Sequence, residues 1–476
     1  MQARIQYCAM SDHLWSSPWR PSSAPHAGLQ GNPFQLLMTD FRRILAHGGW
    51  NLVGTALPLA AAIVAVPFLL SRIGVERFGI LSLVWVLIGY FSLFDLGIGR
   101  ALTKLVAERV DDQRREELVS LCSTGTALVL VVGLAGALVI GLLACFPGLW
   151  LARLPAALHS ESVATLVLVA VSVPAVVGTA ALRGILEGHQ AFKLLNLIRV
   201  PAGIAMFVAP CVTAVFSPRL DLAVAALAVT RLLFLFVHAK ASWEFCPLSL
   251  RAIDRRWVRP LLAFGGWLTV SNTVGPVIVY LDRFVIGALL PPAAVGYYSA
   301  PFEVVSRLLI LPMALCGAIF PALARSNRID QGRSAELQQK AFWLILAVVL
   351  PISVLGAVFA EPLLRLWLGA DFAREGALAM QILFAGFTLN AISQLPFAAL
   401  HSMGRTRDTA LVHLIELPVY VLVLVWLVNA FGLPGAAAAW TLRALVDTVA
   451  LMWMLNSARQ KARTDFNAQA GDALLR

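Results

Sequence analysis

The run "LVLVVGLAGALVIGLLACF", residues 128–146, contains no charged side chain over 19 positions. As a helix it rises ~28 Å, close to the ~30 Å hydrocarbon core of a bilayer. The chain repeats runs of this kind along its length. With 59% hydrophobic and 13% charged residues and a mean hydropathy of +0.80, it lies far from a soluble domain, in which ~25% of residues are charged. No single soluble core buries so many segments that are apolar on every side. The fold class expected is therefore all-α and polytopic. Twelve spans are read at approximately 46–70, 78–98, 119–143, 162–183, 192–216, 220–242, 261–288, 295–323, 339–359, 375–400, 409–431 and 434–457.

A net charge of +11 in such a chain calls for a membrane explanation before a nucleic-acid one. Numbered alternately from an inner N-terminus, the inner segments hold 25 of the 37 Lys and Arg and the outer segments six. Both termini are expected in the cytoplasm. No segment is long and polar enough for a nucleic-acid domain, so no nucleic-acid partner is expected. The six cysteines form no CxxC or Cys/His cluster, so neither a zinc site nor a redox motif is expected. Residues 1–40 are rich in Pro, Ser and Gly and lack a signal-peptide apolar core. They are expected to be a disordered leader, with Met38 a natural alternative start.

The chain writes one phrase twice. "ILAHGGW" at 44–50 and "LLAFGGW" at 261–267 are identical at five of seven positions, 217 residues apart. The same offset relates Gly79 to Gly296 and "LIRVP" (197–201) to "LIELP" (414–418). The expectation is an internal duplication. The N-terminal six-helix lobe takes 41–243, a cytoplasmic linker 244–257, the C-terminal six-helix lobe 258–457 and a cytoplasmic tail 458–476. Six spans per half is an even number, so the repeats are parallel, an arrangement suited to alternating access around a midplane site.

Charged residues inside spans are costly and mark function by default. The candidates are Asp95, Arg231, Asp282, Arg283, Glu303, Arg307, Glu416, Arg443 and Asp447. At the 217 offset Arg231 corresponds to Thr448, Asp282 to Ala65, Arg283 to Val66, Arg307 to Tyr90 and Arg443 to Ala226. Charges absent from the other copy favour ligand or ion handling over bundle construction. Glu303 with Arg307 and Arg443 with Asp447 stand at i,i+4, where self-neutralising structural pairs are the plain alternative. Asp282 and Arg283 lie near the end of a span, where snorkelling to the interface is the alternative. Arg231 has no carboxylate within four residues and is the sharpest candidate for anion contact. Glu416 stands opposite Arg199 in the repeat, a candidate pair across the two-fold. Asp95 near Arg100, His47 and His413 read as interface residues. Asn390 and Gln394, at i,i+4, either hydrogen-bond between helices or touch a sugar. No nucleotide-binding, HExxH or GxSxG motif occurs, so no ATP-driven step, cofactor, metal centre or enzymatic activity is expected.

The segments "RFGILSLVWVLIGYFSLFDLGIGRALTKLVAE" (77–108), "YLDRFVIGALLPPAAVGYYSAPFEVV" (280–305) and "LHSMGRTRDTALVHLIELP" (400–418) resemble the bacterial polysaccharide and O-antigen flippases. These belong to the multidrug, oligosaccharidyl-lipid and polysaccharide exporter superfamily. The resemblance covers 41–457. It implies a bacterial inner-membrane transporter that moves polyprenyl-pyrophosphate-linked oligosaccharide to the outer leaflet. It also implies H+ or Na+ as coupling ion and polymerase or ligase proteins of polysaccharide synthesis as partners. Substrate contacts would then come from Arg231, Arg283, Arg307, Arg443 and Asn390, and ion coupling from Asp282, Glu303, Glu416 and Asp447. The principal alternative is a cation-coupled multidrug exporter of the same superfamily, which would be expected to carry an acidic cation site in its N-terminal lobe. The first span, "GGWNLVGTALPLAAAIVAVPFLL", holds no carboxylate. A membrane scaffold would lack a polar cavity, and a membrane enzyme would need an acid–base cluster.

Overall fold

The computed structural model describes residues 33–92, 94–110, 115–149, 154–316, 319, 331–403 and 405–474. In 33–56, 264–276, 331–335, 406 and 461–474 only the backbone is described. The leader up to residue 32 and the side chains of His47 and of both copies of the repeated phrase from Phe264 and up to Trp50 lie outside this description. The chain divides into two units, residues 1–53 and 54–476. The described part of the first is helical backbone from Pro33. The second contains all that follows.

Among the described residues every long element is a helix. They are α1 (Pro33–Phe91), α2 (Ile98–Ala107), α3 (Arg115–Cys145), α4 (His159–Gly188), α5 (Phe192–Phe216) and α6 (Leu220–Phe245). After two single-turn 3₁₀ segments, Leu250–Ala252 and Arg255–Trp257, come α7 (Val258–Leu289), α8 (Pro292–Leu308), α9 (Gln331–Val358), α10 (Ala360–Leu368), α11 (Ala370–Ser402) and α12 (Thr406–Leu474). Hydrocarbon offers backbone N–H and C=O groups no partner, which leaves the helix as the way for such sequences to cross. Nine helical stretches among the described residues are long and apolar enough to span a membrane.

Two of these are too long for one crossing. Arg407–Gln460 has 54 residues, ~81 Å as a straight helix against ~30 Å of hydrocarbon. It breaks at Gly432, and α1 breaks at Gly74; both glycines have positive φ (63° and 78°), which an L side chain adopts only under strain. After Gly432 the chain packs back on itself, so a Cβ at Gly435 would overlap the Leu427 carbonyl.

Large apolar side chains face outward along these helices. Leu138 of α3 and Phe236 of α6 are 63% and 70% exposed. In water this surface would drive aggregation; in a bilayer it is the lipid-facing surface. Inward, small residues let backbones approach. A Cβ at Gly184 of α4 would overlap the Gly99 carbonyl of α2, and one at Gly79 of α1 would overlap the Pro292 carbonyl of α8. Two large buried apolar clusters result. One is built from Val66 to Leu261, the other from Ile278 to Trp440.

The candidate intramembrane charges

Asp282 and Arg283 lie on the last turns of α7 and are fully buried, so neither snorkels to an interface. Burial without a partner would be prohibitive. Asp282 accepts a hydrogen bond from the Tyr298 hydroxyl (2.7 Å) and one from the Arg283 backbone N–H (2.7 Å). The Arg283 guanidinium donates to Glu303 Oε1 on α8 (3.2 Å) and stands 4.5 Å from the centre of the Phe302 ring. Its Nε and Nη1 are buried without a partner. Glu303 also takes Arg307, one turn on, at 3.3 Å, as its i,i+4 spacing suggested. Two acids and two arginines therefore balance here, with the outer pair half-exposed.

A second group forms where the two arms of α12 meet. Arg443 Nη1 approaches Glu416 Oε2 at 3.7 Å, and His413 Nε2 approaches Asp447 Oδ1 at 3.3 Å. Arg443 and Asp447 therefore turn to the facing arm rather than to each other, and Glu416 pairs with Arg443 rather than across the repeat with Arg199. In a helix hairpin, side chains on the facing arm compete with the i,i+4 neighbour and win when the pair is buried. His413 thus faces a buried acid. One ligand atom each from His413, Glu416 and Asp447 lie within 4.8 Å of one another, although no metal centre was expected. Glu416 carries no hydrogen bond on either oxygen, and Tyr420 Oη is likewise buried without a partner. The group sets two carboxylates, Glu416 and Asp447, against one guanidinium, Arg443.

Tyr420 is buried on the first arm of α12, one turn beyond Glu416. Arg231 and Asn390 are placed elsewhere. Arg231, half-buried on α6, directs Nη2 to the Met206 thioether on α5 (3.0 Å), and no carboxylate pairs with it among the described residues. Asn390 accepts from Gln394 within α11 (3.3 Å), not between helices. Asp95 has a local role. Its two carboxylate oxygens accept the backbone N–H groups of Gly97 and Gly99 at the start of α2. Tyr298 and Tyr420 were not anticipated from the sequence. The available signal was the rule that a buried tyrosine hydroxyl seeks a polar partner, applied to the tyrosines near the intramembrane acids.

Comparison with known proteins places this arrangement. A family model described as polysaccharide biosynthesis protein matches residues 44–327, and one described as lipid II flippase MurJ matches 247–470. A Shigella flexneri protein named "Putative O-antigen transporter" is 30% identical over 411 residues, 86% of this chain and 97% of that one. An inward-facing multidrug resistance MATE family transporter of the MOP superfamily superposes with a TM-score of 0.72 at 14% identity, covering 86% of this chain and 99% of its own. The lipid II flippase MurJ in an inward closed conformation gives 0.69 at 12%, covering 86% and 87%. The two structural likenesses establish a shared fold. The match over well over half of the chain, together with the end-to-end likeness to the Shigella protein, establishes that the chain belongs to the polysaccharide biosynthesis protein family of membrane transporters.

Proposed function

We propose that this protein is a flippase that moves lipid-linked oligosaccharide across the bacterial inner membrane for cell-surface polysaccharide synthesis. The observation that carries the proposal is the end-to-end match at 30% identity to a protein named for O-antigen transport. The chemistry fits. A pyrophosphate-linked sugar is too polar to cross hydrocarbon unaided, while its prenyl tail is at home there. An inside-negative potential drives an anion outward by ~2.3 kcal/mol per charge per 100 mV. The multidrug exporter alternative rests on likeness of fold at 14% identity.

Twelve spans in two parallel lobes support alternating access. The nine candidate stretches become twelve when those broken at Gly74 and Gly432 are counted twice and α7 is added. Of the two large apolar clusters, one draws mainly on residues before the expected linker and the other on residues after it. Contacts between the halves are reciprocal at the repeat offset. Gly79 packs on Pro292, and Gly296, the counterpart of Gly79, packs on Val75, the counterpart of Pro292. Such isologous contact is what a two-fold relation produces. With the N-terminus inside, both ends of the chain lie in the cytoplasm.

Arg231, lacking an acid, is the leading contact for the pyrophosphate; half-exposed Arg307 is a second. Arg283 and Arg443 are already engaged by Glu303 and Glu416. Asn390 remains a candidate for the sugar. The group around Glu416 and Asp447, two carboxylates against one arginine, suits uptake of H+ or Na+; Asp282 and Glu303 are matched by two arginines and suit it less. Proteoliposomes containing the chain test the function. Polyprenyl-pyrophosphate oligosaccharide should reach the opposite leaflet when the chain is present and not in empty vesicles. Equal rates in the two would end the proposal.

A further inference from the structure

A crevice of about 440 Å³ opens between α1, α3 and α4 on one side and the last turns of α7 on the other. Its walls are apolar, with Leu83, Leu143, Phe284 and Gly287 among them, and two hydroxyls, Ser162 and Thr165 of α4, are set into the wall. Both hydroxyl oxygens are buried and have no hydrogen-bond partner. Leu143 and Phe284 at its rim are exposed. Because the walls from α1, α3 and α4 belong to candidate spans, the medium outside the rim is lipid.

The depth of the hydroxyls is set by the ion pairs beside them. Arg77 grips Glu161 with two hydrogen bonds of 2.8 Å, and Glu161 also accepts the Leu220 backbone N–H. Arg219 pairs with Asp221 at the same end and is exposed. These charges mark the level of the polar headgroups. Ser162 and Thr165 follow Glu161 by one and four residues, so they lie within ~6 Å of that level along the helix. Leu166 and Val169 come next in the wall. The gradient runs from charge to hydroxyl to hydrocarbon. A glycerophospholipid has the same order, from phosphate to ester carbonyl to acyl chain. An unpaired buried hydroxyl is costly.

We propose that the crevice is a binding site for one acyl chain of a diacyl phospholipid, whose ester carbonyl accepts hydrogen bonds from Ser162 and Thr165. The polyprenyl tail of a lipid-linked sugar would also be apolar, but it has no carbonyl to satisfy the hydroxyls. The bound chain touches both the α1–α3–α4 wall and α7, so its presence holds these surfaces apart at this level. The site is independent of glycan translocation, and a chain that failed to flip oligosaccharide would still retain the lipid.

The test uses the purified full-length chain in nanodiscs of diester phosphatidylethanolamine and in matched nanodiscs of the diether analogue, followed by delipidation and native mass spectrometry. The diester lipid should be retained about fivefold better, as expected from one net hydrogen bond. Changing Ser162→Ala with Thr165→Val should bring it down to the diether level. A photoreactive benzoylphenylalanine replacing Ala288 in the crevice should capture diacyl phospholipid well above one replacing Phe236 on the outer face. Equal retention of diester and diether lipid by the unmodified chain would overturn the proposal, whatever the variants do. Capture of polyprenyl phosphate in preference to phospholipid at position 288, or equal capture at the two positions, would overturn it as well.

Discussion

Arg231 and Arg283 are both intramembrane arginines absent from the other half of the repeat, but their surroundings assign them different work. Arg283 is fully buried between Asp282, Glu303 and two aromatic rings. Removing it leaves Asp282 buried beside an empty volume. Truncating a large, fully buried side chain to Ala costs about 2–5 kcal/mol. Arg283→Ala should therefore lower membrane abundance, and adding Asp282→Asn should restore part of it, as immunoblotting of membranes would show. Arg231 neutralises no acid among the described residues, so Arg231→Ala should insert at normal abundance while glycan export falls at least tenfold. Arg231→Lys should recover only part of the export, because Lys lacks the planar fork that holds two phosphate oxygens. Normal export by Arg231→Ala would remove it from the substrate site. At this scale the sequence was informative where partners are close along the chain. Glu303 and Arg307, one turn apart, pair as their spacing indicated. The pairing of Glu416 with Arg443 and of His413 with Asp447 was hidden, because helical periodicity gives the face of a helix and not the neighbour it meets.

Hydropathy made the helical segments legible, because only long helices satisfy their backbone in lipid. Two breaks were legible as well: the expected spans part between 70 and 78 and between 431 and 434, and Gly74 and Gly432, both with positive φ, stand in those gaps. The close approach of α1 to α8 had a trace in the sequence, since Gly79 and Gly296 are counterparts at the 217 offset. Their mutual packing could not be read from it. A Cβ at Gly79 would collide with a backbone carbonyl, whereas one at Gly141 of α3 meets nothing within 4 Å. Gly79→Ala should then destabilise by about 1–3 kcal/mol through overpacking. Gly141→Ala should be neutral or stabilising by up to about 1 kcal/mol through helix propensity. Thermal unfolding in detergent should place the two variants on opposite sides of the parent. A higher melting temperature for Gly79→Ala would show that α1 and α8 are not held in this contact.

For the whole molecule, the class of fold followed from composition, because the membrane constrains sequence so strongly, and the three family-like segments pointed to the cargo proposed. The lipid crevice did not follow from the sequence, since its walls come from five helices, some of them far apart in the chain. The asymmetry of Lys and Arg makes a prediction for topology. Reporter tags after residues 115, 190, 253, 330 and 460 should read cytoplasm, and tags near 155, 219, 292 and 370 should read the far side. A far-side signal at 253 would contradict two six-helix lobes joined by a cytoplasmic linker. The central claim is outward movement of a lipid-linked oligosaccharide, and depletion of the chain in its own cells tests it most directly. The measurement is the leaflet distribution of that glycolipid, read from its accessibility to a membrane-impermeant glycosidase in right-side-out and inverted vesicles. On depletion the glycolipid should accumulate on the cytoplasmic face and fall on the outer one; an unchanged distribution, with the chain gone and no other flippase induced, would contradict the account.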